Sequence, residues 1–74
     1  MFKDLREKNG FSTKYVADKL NIKINTLYKY EEFYSMPSAS ILLKMQQIYK
    51  CTHEELLEAY KYARRIYDER KNKR

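Results

Sequence analysis

Seventy-four residues carry 16 Lys and Arg against 10 Asp and Glu, a net charge of +6, with one Gly, one Pro and one Cys. A chain of this length makes one domain and buries only roughly 60% of the surface its unfolded form exposes, which disfavours a second core or the deep pocket of an enzyme. The single Cys51 excludes an intrachain disulfide framework and a four-thiolate metal site, and no apolar run approaches a bilayer span or a signal-peptide core, so the chain reads as cytoplasmic with no membrane anchor.

The first helix is predicted from the stripe of Phe2, Leu5 and Arg6, and Asn9-Gly10 supplies a left-handed stop. Ser12 then caps a second helix whose buried face is Tyr15, Val16, Ala17 and Leu20. Asn21 follows, a residue that tolerates the left-handed conformation of a tight turn.

Residues 21–32, NIKINTLYKYEE, are ambiguous taken alone. A period of two aligns Ile22, Ile24, Thr26, Tyr28 and Tyr30 as in a strand, whereas a period of 3.6 groups Ile22, Leu27 and Tyr30. A lone strand would have no partner for its backbone groups, and every neighbouring segment is helical, so the helical period is expected. Ile24, Asn25, Tyr28 and Lys29 then face outward.

After the loop Phe33-Tyr34-Ser35-Met36-Pro37, Ser38 caps a fourth helix with apolar positions Ile41, Leu42, Met45, Ile48 and Tyr49. Thr52-His53-Glu54-Glu55 fits a capping box and opens a fifth helix running from about His53 toward Arg70. Leu56 and Leu57 are expected to close the core. Tyr60, Ala63, Ile66 and Tyr67 continue a seam that either folds back or meets a second protomer, the second being preferred. Residues 68–74 are expected to fray. Residues 64–74 hold six bases and two acids, which leaves only +2 on residues 1–63. Such a tail suits an anionic partner, nucleic acid or membrane surface, and equally suits simple solvation.

Leu5-Arg6, Gly10-Phe11-Ser12, Val16-Ala17, Leu20-Asn21-Ile22, Thr26-Leu27, Tyr30-Glu31, Pro37-Ser38, Leu42-Leu43 and Glu54-Glu55-Leu56-Leu57 fall at fixed offsets. In these residues, from about Phe2 to Leu57, the chain resembles the Cro/repressor-type (XRE) family of helix-turn-helix DNA-binding proteins. The resemblance implies an all-α, compact five-helix lambda-repressor-like domain over residues 1–58, with a C-terminal helix extension and basic tail over 59–74. It also implies a transcriptional regulator, of phage, mobile-element or small bacterial repressor type, that binds an inverted-repeat double-stranded operator as a homodimer.

Carried over by position, residues 23–31 resemble a recognition helix with Ile24, Asn25, Tyr28 and Lys29 reading bases. Asn25 suits adenine and Lys29 suits guanine acceptors, while Ile24 and Tyr28 suit thymine methyls or sugar-phosphate edges. Ser12, Thr13, Lys14, Lys23 and Thr26 match phosphate-contacting positions. Arg6 and Glu31 match a structural ion pair. Phe33, Tyr34, Met36, Tyr60, Ala63, Ile66 and Tyr67 are the expected dimer or partner surface, and RNA polymerase or another regulator is a candidate partner.

Three departures stand out. Lys23 replaces the usual Ser or Thr cap, so the first turn of the recognition helix is expected to fray. Phe33 occupies a place often held by Gly, which argues against a left-handed stop. The loop after the helix lacks the bases that often touch phosphate there. A rival reading keeps the fold and makes it a protein–protein adaptor. No catalytic constellation, cofactor or metal is expected: Cys51 and His53 have no further His or Cys to complete a site, and Cys51 takes a core position. Glu54, Glu55 and Glu58 are read as helix N-terminal charges.

Overall fold

The helix stops written into the chain divide the computed structural model, which describes residues 1–72, into five helices: α1 Phe2–Lys8, α2 Thr13–Leu20, α3 Ile24–Glu31, α4 Ala39–Tyr49 and α5 His53–Asn72. Lys73 and Arg74, the end of the expected basic tail, lie outside the described residues. The fold is all-α, as expected, and residues 21–32 are helical.

The first three connections use the same local device. After α1, Gly10 sits at φ +71° and the Phe11 amide returns to the Arg6 carbonyl at 3.2 Å. After α2, Asn21 sits at φ 57° and the Ile22 amide returns to Ala17 at 3.0 Å. After α3, Phe33 sits at φ 67° and the Tyr34 amide returns to Lys29 at 2.8 Å. In each case a left-handed residue turns the chain so that amides beyond the helix satisfy its last carbonyls. Phe33 therefore makes the left-handed stop that its side chain argues against. Its ring packs 5.6 Å from that of Tyr62 and lies against the core, and this contact offsets the cost of the left-handed backbone. Lys50 makes the same left-handed turn at the end of α4, at φ 52°.

Starts are capped as read. Ser12 Oγ accepts from the Tyr15 amide at 3.0 Å and Ser38 Oγ from Ile41 at 3.2 Å. Thr52 and Glu55 bond reciprocally, each at 3.0 Å, which holds the Glu55 carboxyl below its ordinary range. Lys23 provides no side-chain cap, yet α3 does not lose its first turn. The Thr26 and Leu27 amides both close on the Lys23 carbonyl, at 3.0 and 3.2 Å.

One core joins all five helices: Phe2 and Leu5; Val16, Ala17 and Leu20; Leu27 and Tyr30; Met45 and Tyr49; Ala59 and Ala63. Burial pushes the Tyr49 hydroxyl above its usual titration range. Three expectations need correction. Tyr15 is 43% exposed, because it lies at the edge of the α2 stripe, its ring tilted against that of Phe11 with centroids 4.7 Å apart and Lys19 over it. Leu57 does not close the core: it is 51% exposed, while Leu56 is half-buried against the core beside it. Residues 68–72 do not fray, since α5 continues through Asn72.

Part of the seam on α5 turns inward: Ala63 is buried and Tyr60 packs against the core, while Ile66 and Tyr67 are half-buried outside it. Ala59 and Ala63 are fully buried, and α5 packs on α1 and α4. Methyl side chains four residues apart allow the helix to approach closely, which larger side chains at those positions would prevent. The proposed boundary after residue 58 therefore falls inside one continuous helix.

Phe33 provides a test of the left-handed stop. Phe33→Ala loses the ring and keeps the strain, whereas Phe33→Gly loses the ring and relieves it. The Gly variant should be the more stable of the two by about 1 kcal/mol in urea unfolding, despite the greater freedom of its unfolded chain. The opposite order would mean that residue 33 does not hold this conformation in solution.

Candidate nucleic-acid interface

Leu27 and Tyr30 carry one side of α3 into the core with Val16, Ala17 and Leu20 of α2. With that side anchored, the helical period turns the opposite side outward. Ile24 is 37% and Tyr28 47% exposed, and Asn25 and Lys29 are exposed beside them. The four residues expected to read bases thus share one surface, which combines two apolar groups, an amide and an ammonium.

The start of α2 meets this surface. Thr13 Oγ1 lies 3.4 Å from Tyr28 Oη, a contact that sequence spacing did not reveal because the residues are fifteen apart. Ser12 caps Tyr15 and retains its own hydroxyl proton. The Thr13 and Lys14 amides are the first two of the helix, where no intrahelical acceptor exists. Amides in that position, with the positive end of the helix dipole, favour an anion. Lys14 and Lys23 are exposed, while Thr13 and Thr26 are half-buried.

Arg6 and Glu31 form a buried bidentate pair. Arg6 Nε donates to Oε2 at 2.7 Å and Nη2 to Oε1 at 3.2 Å, while Nη1 donates to the Phe11 carbonyl at 2.9 Å. The side chains are 11% and 2% exposed. The hydrogen bond to Glu31 holds the Arg6 guanidinium above its ordinary pKa. One guanidinium thereby ties α1 to the α1–α2 turn and to the last turn of α3.

The expected partner surface is not one continuous patch. Ala63 is fully buried within its own chain and is not available to another. Phe33, Met36 and Tyr60 are half-buried against the core, and Ile66 and Tyr67 are half-buried on α5. Tyr34 alone of the seven is largely exposed, at 66%. Cys51 packs half-buried against the core, which pushes its thiol pKa up. No metal-binding cluster of His, Cys, Asp or Glu is found among the described residues, and none of their helices is long and apolar enough to cross a membrane.

Two short helices joined by a left-handed turn, the second anchored along one side and open along the other, make a helix-turn-helix within an all-α domain. The chain belongs to the helix-turn-helix family HTH_3, which matches residues 2–56. It is similar to the HTH-type transcriptional regulator ImmR of Bacillus subtilis (strain 168), with 40% identity over 55 residues. The match covers 74% of this chain and 43% of that protein, so the chain spans less than half the length of its relative. No solved structure matches the chain.

The ion pair sets how firmly α3 is held. Arg6→Met or Glu31→Met alone should destabilise the domain by about 3 kcal/mol, because each leaves the opposite charge buried and unpaired. The double variant should cost clearly less than the sum of the two. Urea midpoints of the three variants measure this, and simple additivity would show the pair to be energetically uncoupled.

Proposed function

We propose that this protein is a DNA-binding transcription regulator that reads a short operator with the outward surface of α3. The observation that carries the reading is the joint exposure of Ile24, Asn25, Tyr28 and Lys29 on a helix whose other side is locked into the core. An α-helix fits the major groove, where Asn pairs with adenine and Lys reaches guanine acceptors. Ile24 and Tyr28 provide contacts for thymine methyls and sugar edges. The Thr13 and Lys14 amides, with Ser12, Lys23 and Thr26, are assigned to phosphate, which sets register without reading sequence. A cytoplasmic, nucleoid-associated protein without catalytic activity goes with this reading.

A homodimer on an inverted repeat completes the proposal, with two copies of α3 entering grooves about 34 Å apart. Its contact is assigned to the exposed surface of α5 centred on Leu57, beside an apolar groove lined by Leu42, Leu56 and Tyr60. Glu54, Leu57, Glu58 and Lys61 share this surface and all are exposed. An antiparallel two-fold pairing with its axis between Leu57 and Glu58 sets Glu54 of one copy opposite Lys61 of the other, so these two opposite charges meet across it.

Selection from randomised duplex DNA at two salt concentrations tests the operator. A symmetric motif is expected, with affinity falling as salt rises. Asn25→Ala should relax preference at particular bases by about 1–3 kcal/mol, whereas Lys23→Ala should weaken all sequences alike. A folded protein that enriches no sequence would favour the adaptor reading instead. In sedimentation, Leu57→Glu should convert a dimer to a monomer, and an unchanged mass would refute the α5 contact.

A further inference from the structure

The connection after α3 lacks a basic residue of its own. Residues 32–37, Glu-Phe-Tyr-Ser-Met-Pro, contain one acid and no Lys or Arg. A cation nevertheless stands there, brought from 38 residues further along the chain. Arg70 Nη1 donates to the Glu32 carbonyl at 2.6 Å, and the Arg70 guanidinium lies 4.4 Å from the centroid of the exposed Tyr34 ring. The Tyr34 and Ser35 amides in turn donate to the Lys29 carbonyl, at 2.8 and 3.3 Å. Arg70 is therefore held at Glu32, three residues beyond Lys29, the last of the outward-facing residues of α3. Lys71 follows it, with its ammonium 5.5 Å from the Tyr67 ring, and Phe33, Tyr34, Tyr67, Arg70 and Lys71 line one shallow cleft.

We propose that Arg70, with Lys71 beside it, forms a phosphate-binding site for the backbone of duplex DNA at the edge of the groove that α3 enters. This inference rests on the groove-binding reading of α3. An α-helix with its side chains is about as wide as the major groove it fills, so a group carried beside its last turn, past Lys29, is offered to the phosphates that line that groove. A guanidinium has five N–H donors in a rigid fork. The Glu32 carbonyl engages one, and the contact with the Tyr34 ring holds the guanidinium, with its other donors, at this edge. Neutralising the negative end of the α3 dipole would account for the carbonyl contact alone. The remaining donors, the exposed aromatic platform and the adjacent Lys71 fit a phosphodiester.

The test is fluorescence anisotropy across a salt series, using a labelled duplex that carries the selected operator. Wild type is compared with Arg70→Gln, Arg70→Lys and the exposed control Lys44→Gln on α4. Arg70→Gln should weaken binding several-fold and reduce the slope of log affinity against log salt by about one, with base preference unchanged. Arg70→Lys should retain most of that slope, and Lys44→Gln all of it. A wild-type slope in Arg70→Gln overturns the proposal, as does an equal loss in Lys44→Gln, which would reflect net charge. An equal loss in Arg70→Lys overturns it in favour of a purely structural contact. Should Arg70→Gln melt out by circular dichroism, Lys71→Gln is read by the same slope criterion. Failure of the wild type to bind any duplex removes the groove-binding reading together with this one.

Discussion

A charge buried in a small domain has to be met by an opposite charge and by hydrogen bonds, and Arg6 with Glu31 meets both conditions at the point where three segments converge. The guanidinium reaches from α1 to the end of α3 and to the carbonyl of Phe11, which lies between α1 and α2. With so little apolar area available to a chain of this size, a directional contact of this kind fixes geometry that packing alone would leave loose. The outward surface of α3 is presented at a defined angle because both its anchoring side, Leu27 and Tyr30, and its last turn, Glu31, are held.

The left-handed stops after α1, α2 and α3 do complementary work. Gly10 and Asn21 each turn the chain within a residue, so the first three helices follow one another with no long loop between them, and Phe33 makes the same turn at the start of the connection to α4. Gly takes that conformation freely and Asn tolerates it, whereas for Phe the cost is offset by the contact of its ring with Tyr62 and the core. The stop at Phe33 is thus coupled to α5. The same stretch of α5 that steadies the ring brings Arg70 to Glu32 and Tyr34, so a helix remote in sequence shapes the end of α3.

Much of this was legible residue by residue. Ser12, Ser38 and the Thr52–Glu55 box marked helix starts, Gly10 and Asn21 marked stops, and the spacing of Leu27 and Tyr30 separated the two sides of α3. The partnership of Arg6 and Glu31 was legible only through resemblance, since no spacing rule links residues 25 apart. Three other features were not legible. The side of α5 that faces the core turns on Ala59 and Ala63, whose small size carries little hydrophobic signal beside Tyr60 and Tyr67. The exposure of Tyr15 and Leu57 depends on which side of each helix the neighbouring helices cover. The Thr13–Tyr28 contact joins groups that either side chain could have satisfied with solvent.

Secondary structure and the outward identity of α3 were determined by the sequence itself, because caps, turns and the 3.6-residue period act over a few residues. Tertiary structure alone decided that Phe33 could hold a left-handed turn, that α5 would fold back along Ala59 and Ala63, and that Arg70 would stand beside the end of α3. Each of those outcomes depends on the close approach of segments distant in the chain. Their energies come from surface that is buried, or from hydrogen bonds that are completed, only when the helices have docked.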